Sequence, residues 1–155
     1  MILHENKEIV LEDARKGETP TLKNIQKWLK TNGATLSCET GTAITYDDGY
    51  QLAFDGTDDK LYDINLDNLW DIKLVKDKID KRLKDATFPY VGLWYDNGIV
   101  YIEYSEHILE RNVAFSLGIQ SKQLSLFNWG YPNNGDPQFI DLVELRKGTS
   151  IPKND

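Results

Sequence analysis

Cysteine is nearly absent: Cys38 is the one thiol in 155 residues. A single thiol closes no internal disulfide, so a disulfide-stapled scaffold is excluded and a reducing, cytoplasmic compartment is expected. Long apolar runs are missing too. Nothing approaches the roughly 18 consecutive apolar residues of a spanning helix, so no membrane association is expected. The opening residues, Met1-Ile2-Leu3-His4-Glu5-Asn6-Lys7-Glu8, lack a basic stretch followed by an apolar one and do not read as a signal peptide. No Gly-rich loop of the P-loop or dinucleotide-binding type occurs, and no cofactor is expected. His4, His107 and Cys38 are too few soft ligands for a zinc site. Positive charge is in deficit, with 18 Lys and Arg against 25 Asp and Glu, a net charge of −7. That disfavours direct contact with a nucleic-acid backbone, which needs a basic face.

What is present belongs to a folded domain. The hydrophobic fraction is 40% and the aromatic fraction 11%, enough to argue against disorder. The length predicts one domain over 1–155, with a helix over 68–84 as the natural junction if halves 16–66 and 88–146 form subdomains.

Leu22, Ile25, Trp28 and Leu29 recur at helical spacing after Thr21, a capping residue, and before Gly33, suited to a left-handed position. Strands are expected at 36–39, 42–46 and 50–54, the last two joined as a hairpin through Asp47-Asp48-Gly49. After a polar loop, Ile72, Val75, Ile79 and Leu83 form one stripe of a second helix capped by Asp67 or Asn68. Asn97-Gly98 between 90–95 and 99–104 is a strong hairpin signal. A third helix over 109–117 is expected to turn Leu109, Val113, Ala114 and Leu117 inward and to stop at Gly118. Strands at 123–129 and 139–145 complete an α+β fold of order α-β-β-β-α-β-β-α-β-β, mostly antiparallel because hairpins dominate.

Charge placement is the most distinctive feature. From Glu39 to Asp67 there are eight acids, Glu39, Asp47, Asp48, Asp55, Asp58, Asp59, Asp63 and Asp67, against one base, Lys60. That segment sums to −7, the net charge of the whole chain, so the remainder sums to zero. Such a surface can steer association with a basic partner, and carboxylates spaced along a surface can imitate DNA phosphates. Turn and cap chemistry alone would also account for many of these Asp residues. The acids do not follow the order of an EF-hand loop, and Lys60 would oppose a cation. No metal site is expected.

Aromatics at Trp94, Tyr95, Tyr101, Tyr104, Trp129 and Tyr131 cannot all face one buried side of a sheet, so Tyr95 and Tyr131 are candidates for exposure and for interface contact. His107, near Glu103, Tyr104, Ser105 and Glu106, is the only residue around which acid–base chemistry could be built. The bland reading makes Ser105 a helix cap and His107 a surface ring. Cys38 is expected to be a buried small residue in a strand.

The run Val91-Gly92-Leu93-Trp94-Tyr95-Asp96-Asn97-Gly98-Ile99-Val100-Tyr101-Ile102-Glu103, with Ala114, Gly118 and Gln123-Leu124-Ser125-Leu126-Phe127-Asn128 after it, resembles a pattern in small uncharacterised acidic proteins of bacteriophages, prophages and other mobile elements. In that pattern the last position is Asp rather than Asn128. The resemblance covers about a quarter of the chain and carries no catalytic residue. It implies a bacterial host cell and a role in inhibiting host defence.

These observations lead to one expectation and two alternatives. The expectation is a non-enzymatic, protein-binding inhibitor of a defence nuclease (anti-CRISPR or anti-restriction). Its site would comprise Asp47, Asp48, Asp55, Asp58, Asp59, Asp63, Asp67, Tyr95 and Tyr131, set against a basic surface. The alternatives are an immunity protein neutralising a bacterial toxin, and a small hydrolase-type enzyme using His107. The sequence leaves the oligomeric state open.

Overall fold

The computed structural model describes residues 15–31, 33–54, 59–121 and 125–147. The chain divides into two compact units that interleave along the sequence. One holds 15–45 and 59–105 of the described residues, the other 46–54 and 106–147. The division therefore does not fall at the helix over 68–84, which lies wholly within the first unit. Both units are α+β, and the strand pairings within each are antiparallel.

The first unit contains α1 (Leu22–Lys30), β1 (Ala34–Ser37), β3 (Asp59–Leu61), α2 (Leu69–Asp85), β4 (Tyr90–Asp96) and most of β5 (Ile99–Ile108). Thr21 caps α1 by accepting from the Asn24 N–H at 3.1 Å. Asn68 caps α2 by accepting from the N–H groups of Trp70 and Asp71. β4 and β5 pair from Tyr90↔Ser105 to Asp96↔Ile99, closing on the two-residue turn Asn97-Gly98. Both turn residues have positive φ, 49° and 81°, as this tight hairpin requires. β1 adds to β4, and β3 to β5. Ile25, Trp28 and Leu29 of α1, Ile72, Val75 and Ile79 of α2, and Leu36, Val91, Leu93, Val100 and Ile102 of the strands are buried and form its apolar interior. Gly33, at φ 124°, passes so close to β4 that a Cβ there would lie 2.0 Å from the Leu93 carbonyl oxygen. Only glycine fits.

The second unit contains β2 (Tyr50–Ala53), the end of β5, α3 (Arg111–Gln120), β6 (Ser125–Asn128), β7 (Phe139–Asp141) and α4 (Leu142–Lys147). β6 pairs with β2 on one side and β7 on the other. Tyr50, Leu52, Ala114, Phe115, Leu126, Ile140 and Leu142 form its core.

Several elements depart from the sequence expectations. The strand expected over 42–46 is reduced to a single bridge, Leu36↔Ala43. Its backbone turns back on β1, with Thr42 O accepting from Ser37 N–H and Ile44 N–H donating to Thr35 O. The expected hairpin therefore does not form, and β2 pairs with β6 instead. The third strand in the order is β3, where a polar loop was expected. α3 buries Ala114, Phe115 and Gly118, while Leu109, Val113 and Leu117 are exposed. Gly118 does not end α3. It sits inside the helix, where a Cβ would lie 2.6 Å from Leu142 Cδ1, so its role is close packing. Of the strand expected over 139–145, only 139–141 is extended, and a short helix follows. Ser105 is a buried β5 residue rather than a cap, and position 110 caps α3. Cys38 lies just past β1, half-buried, and burial pushes its thiol pKa up.

Candidate protein-binding surface

Asp47 and Asp48 lie in the 46–49 loop of the second unit, and both are exposed. Asp48 is a turn residue whose Oδ1 accepts from the Gly49 N–H at 2.8 Å. Asp59, Asp63 and Asp67 belong to the first unit. Asp59 is taken up by Arg82, whose Nε and Nη2 donate to its Oδ2 at 3.0 and 2.8 Å. Asp63 is exposed and holds φ at 56°, a left-handed position that Asp tolerates in turns. Asp67 is exposed and meets Lys30 at 2.7 Å, a surface pair that contributes little. Asp55 and Asp58 lie outside the described residues. The acidic segment is thus divided between turn, ion-pair and exposed roles.

Tyr95 and Tyr131 are both half-buried. The Tyr95 hydroxyl donates to the Ile64 carbonyl at 3.4 Å. The most exposed aromatics among the described residues are others: Trp70, at 76%, and Tyr62.

His107 stands near the end of β5 with its ring stacked on Tyr46, centroids 3.8 Å apart and planes 3° from parallel. Its Nε2 is 2.7 Å from the Asp48 carbonyl oxygen, which accepts from the Nε2–H tautomer. Gly49, at φ 84°, lies against the same ring, where a Cβ would meet Nε2 at 2.5 Å. Trp129 N–H in turn donates to the Gly49 carbonyl. The ring therefore pins the 46–49 loop. Among the described residues no carboxylate is hydrogen-bonded to it.

A second polar cluster was not visible in the sequence. Asp136, 7% exposed, accepts from the Tyr50 hydroxyl at 2.6 Å and from Arg111 Nε and Nη2 at 2.9 and 3.2 Å. Burial, then the Asp136 carboxylate, push the Tyr50 hydroxyl pKa well up. The side-chain amides of Asn128 and Asn134 exchange hydrogen bonds at 2.8 Å in each direction. Asn134 also donates to Tyr50 Oη. These groups satisfy one another and fix the 129–138 loop on α3 and β2.

The feature that faces outward is the start of α2. Leu69, Trp70 and Leu74 are all exposed. At about 100° per residue, Trp70 and Leu74 lie on the side of α2 opposite its buried stripe of Ile72, Val75 and Ile79. They are four apart and adjoin on one face. Lys73 Nζ lies 5.8 Å from the Trp70 ring centroid.

The segment that carries them is held firmly. Asn65 N–H donates to Asp71 Oδ2, and Asp67 N–H to Asn65 Oδ1, each at 2.9 Å. Ile64 N–H donates to the Gly98 carbonyl, and Gln26 Nε2 to the Leu66 carbonyl at 2.7 Å. A large, rigid aromatic is thus displayed on an ordered, capped helix end. The periodicity held the signal: Trp70 and Leu74 are apolar residues on a face otherwise filled by Lys73, Asp77 and Lys81.

Comparison with family models, with curated proteins and with solved structures gives no match. Among the described residues no helix is long and apolar enough to cross a membrane, and no group of His, Cys, Asp or Glu is arranged to hold a metal ion.

Proposed function

We propose that this chain is a non-enzymatic protein-binding domain and that Trp70 and Leu74 of α2 anchor its partner. The observation that carries this is the 76% exposure of Trp70 on a pre-organised helix end. Exposing a Trp and two leucines together costs solvation, and such clusters mark contact sites. Trp is enriched among residues that dominate binding energy, and little ordering entropy remains to be lost here.

Charge indicates the partner. The loop 62–68 that enters α2 carries Asp63 and Asp67 and no Lys or Arg. The fitting surface is an apolar pocket for Trp70 and Leu74 with basic groups on the side facing that loop. A basic enzyme acting on nucleic acid has this chemistry. Inhibition of such an enzyme in the cytoplasm of a bacterial host, as in defence by restriction or CRISPR nucleases, is the role we carry forward. The exposed acids Asp47 and Asp48 would serve the approach of a basic partner rather than its anchoring.

The test uses tagged full-length chain and its Trp70→Ala variant as parallel baits in bacterial lysate, at low and high salt, with the retained proteins identified. A basic nucleic-acid enzyme held by the wild type, lost by the variant and weakened by salt is the expected result. A toxin domain held at both salts replaces the defence role with toxin immunity. Equal retention by both baits overturns the placement at Trp70, and retention of nothing by either overturns the binding reading.

A further inference from the structure

Leu109, Val113 and Leu117 stand at four-residue intervals along α3 and are 66, 42 and 38% exposed. At about 100° per residue they share one face, turned away from the buried Ala114, Phe115 and Gly118. Asn112, Ser116 and Gln120 flank them, and no charged residue occurs from 112 to 120. This is an uncharged apolar strip on a chain of net charge −7. It is independent of the Trp70 surface.

We infer that the strip is the contact between two copies of this chain, the α3 helices running antiparallel across a two-fold axis at Val113. Symmetry and charge together select this occupant. A two-fold contact sets each residue against its mirror position. Leu109 then meets Leu117 of the second copy, Val113 meets its own counterpart, and Glu110 faces the Ser116 hydroxyl. No like charges oppose each other, although two copies of −7 repel across most other surfaces. A basic partner would find only Glu110 to pair with here. The apolar spacing is itself symmetric about Val113, as a self-complementary face requires. α3 spans about 15 Å, so the contact is at the small end of specific interfaces and the dimer is weak.

The test is sedimentation equilibrium of the full chain from about 10 μM to about 1 mM, beside its Val113→Asp variant, with circular dichroism to check folding. The expected wild-type mass rises with concentration from 17.8 kDa toward twice that value. High salt does not weaken the association, since apolar burial drives it. Val113→Asp opposes two carboxylates at the axis and weakens the dimer by roughly a hundredfold or more. A wild type that stays at the monomer mass throughout, or a folded variant that associates as well as the wild type, overturns the inference.

Position-specific cross-linking covers the case in which Val113→Asp does not fold. A Cys38→Ser/Val113→Cys chain forms a linked dimer on mild oxidation, because residue 113 lies on the axis. A Cys38→Ser/Asp77→Cys chain, with its thiol on the exposed side of α2, does not. Equal linking of the two chains overturns the proposed axis.

Discussion

Replacing Arg111 by Met tests how far the second unit depends on one ion pair. Met keeps the apolar stem, which matters because the Arg111 guanidinium lies 4.3 Å from the centroid of the Phe115 ring. What the substitution removes is the cation that meets Asp136 through two donors. The Asp136 carboxylate would then remain buried with the Tyr50 hydroxyl and lose its counter-charge. Breaking a buried pair from one side costs about 3–5 kcal/mol. The Arg111 side chain retains 18% exposure, so water can reach part of the site and a loss of about 3 kcal/mol is expected. That is a large share of the roughly 5–15 kcal/mol available to a domain.

The double variant Arg111→Met/Asp136→Asn removes the orphaned charge and keeps an oxygen acceptor for Tyr50. It is expected to lose about 1 kcal/mol less than Arg111→Met alone, or better, because the coupling is between neighbours in direct contact. Urea unfolding followed by circular dichroism measures each. The reasoning is refuted if Arg111→Met costs under about 1 kcal/mol, or if the double variant loses the sum of the two single losses.

Gly33→Ala combines a left-handed φ with a direct clash on Leu93 O; a loss of at least about 2 kcal/mol is expected in the same assay. Tyr50 adds a pH dependence. Its folded pKa is raised, so the unfolded state releases the proton first, at about pH 10, and stability falls with further increase in pH by up to about 1.4 kcal/mol per unit. Tyr50→Phe should be less stable than wild type at neutral pH, where the contribution is fully present, and the gap should narrow above about pH 10; a constant gap would exclude the linkage. His107→Phe keeps a ring against Tyr46 but loses the bond to the Asp48 carbonyl, and should cost about 1 kcal/mol. If the 46–49 loop is pinned as described, its amides should also exchange faster by hydrogen-exchange mass spectrometry. Trp70→Ala, by contrast, should change stability by no more than about 0.5 kcal/mol, while costing about 2 kcal/mol or more of partner affinity measured by calorimetry.

Elements stabilised by their own sequence were legible. α1 and α2 have capping residues and a stripe of buried side chains at helical spacing, and the 96–99 turn has an Asn-Gly pair in left-handed conformation. Each of these is decided within a few residues. The elements that were misread depend on partners far away in the chain. Asp47-Asp48-Gly49 has good local turn chemistry, yet its carbonyls are taken by His107 and Trp129, so the flanking segments do not pair with each other. β3 is a polar strand, Asp59-Lys60-Leu61, that exists because β5 presents an edge to it. Gly118 has the composition of a helix stop, but Leu142, from a distant segment, demands a position without a side chain.

The same distinction separates the two readings of the functional surface. Carboxylates were conspicuous in the sequence because composition exposes charge directly, yet a folded chain can spend a carboxylate on a cation, a turn or a cap, and Asp59 and Asp48 are spent in this way. Apolar side chains carry the opposite bias. A Leu or Trp is read as core until its angular position on a helix is compared with that of its neighbours, and both Trp70 and the Leu109, Val113, Leu117 strip fail that comparison. Exposed carboxylates lower no free energy by being covered, whereas exposed Trp and Leu do. The apolar positions therefore determine where a partner or a second copy would bind, and the remaining free acids determine which charge it approaches with.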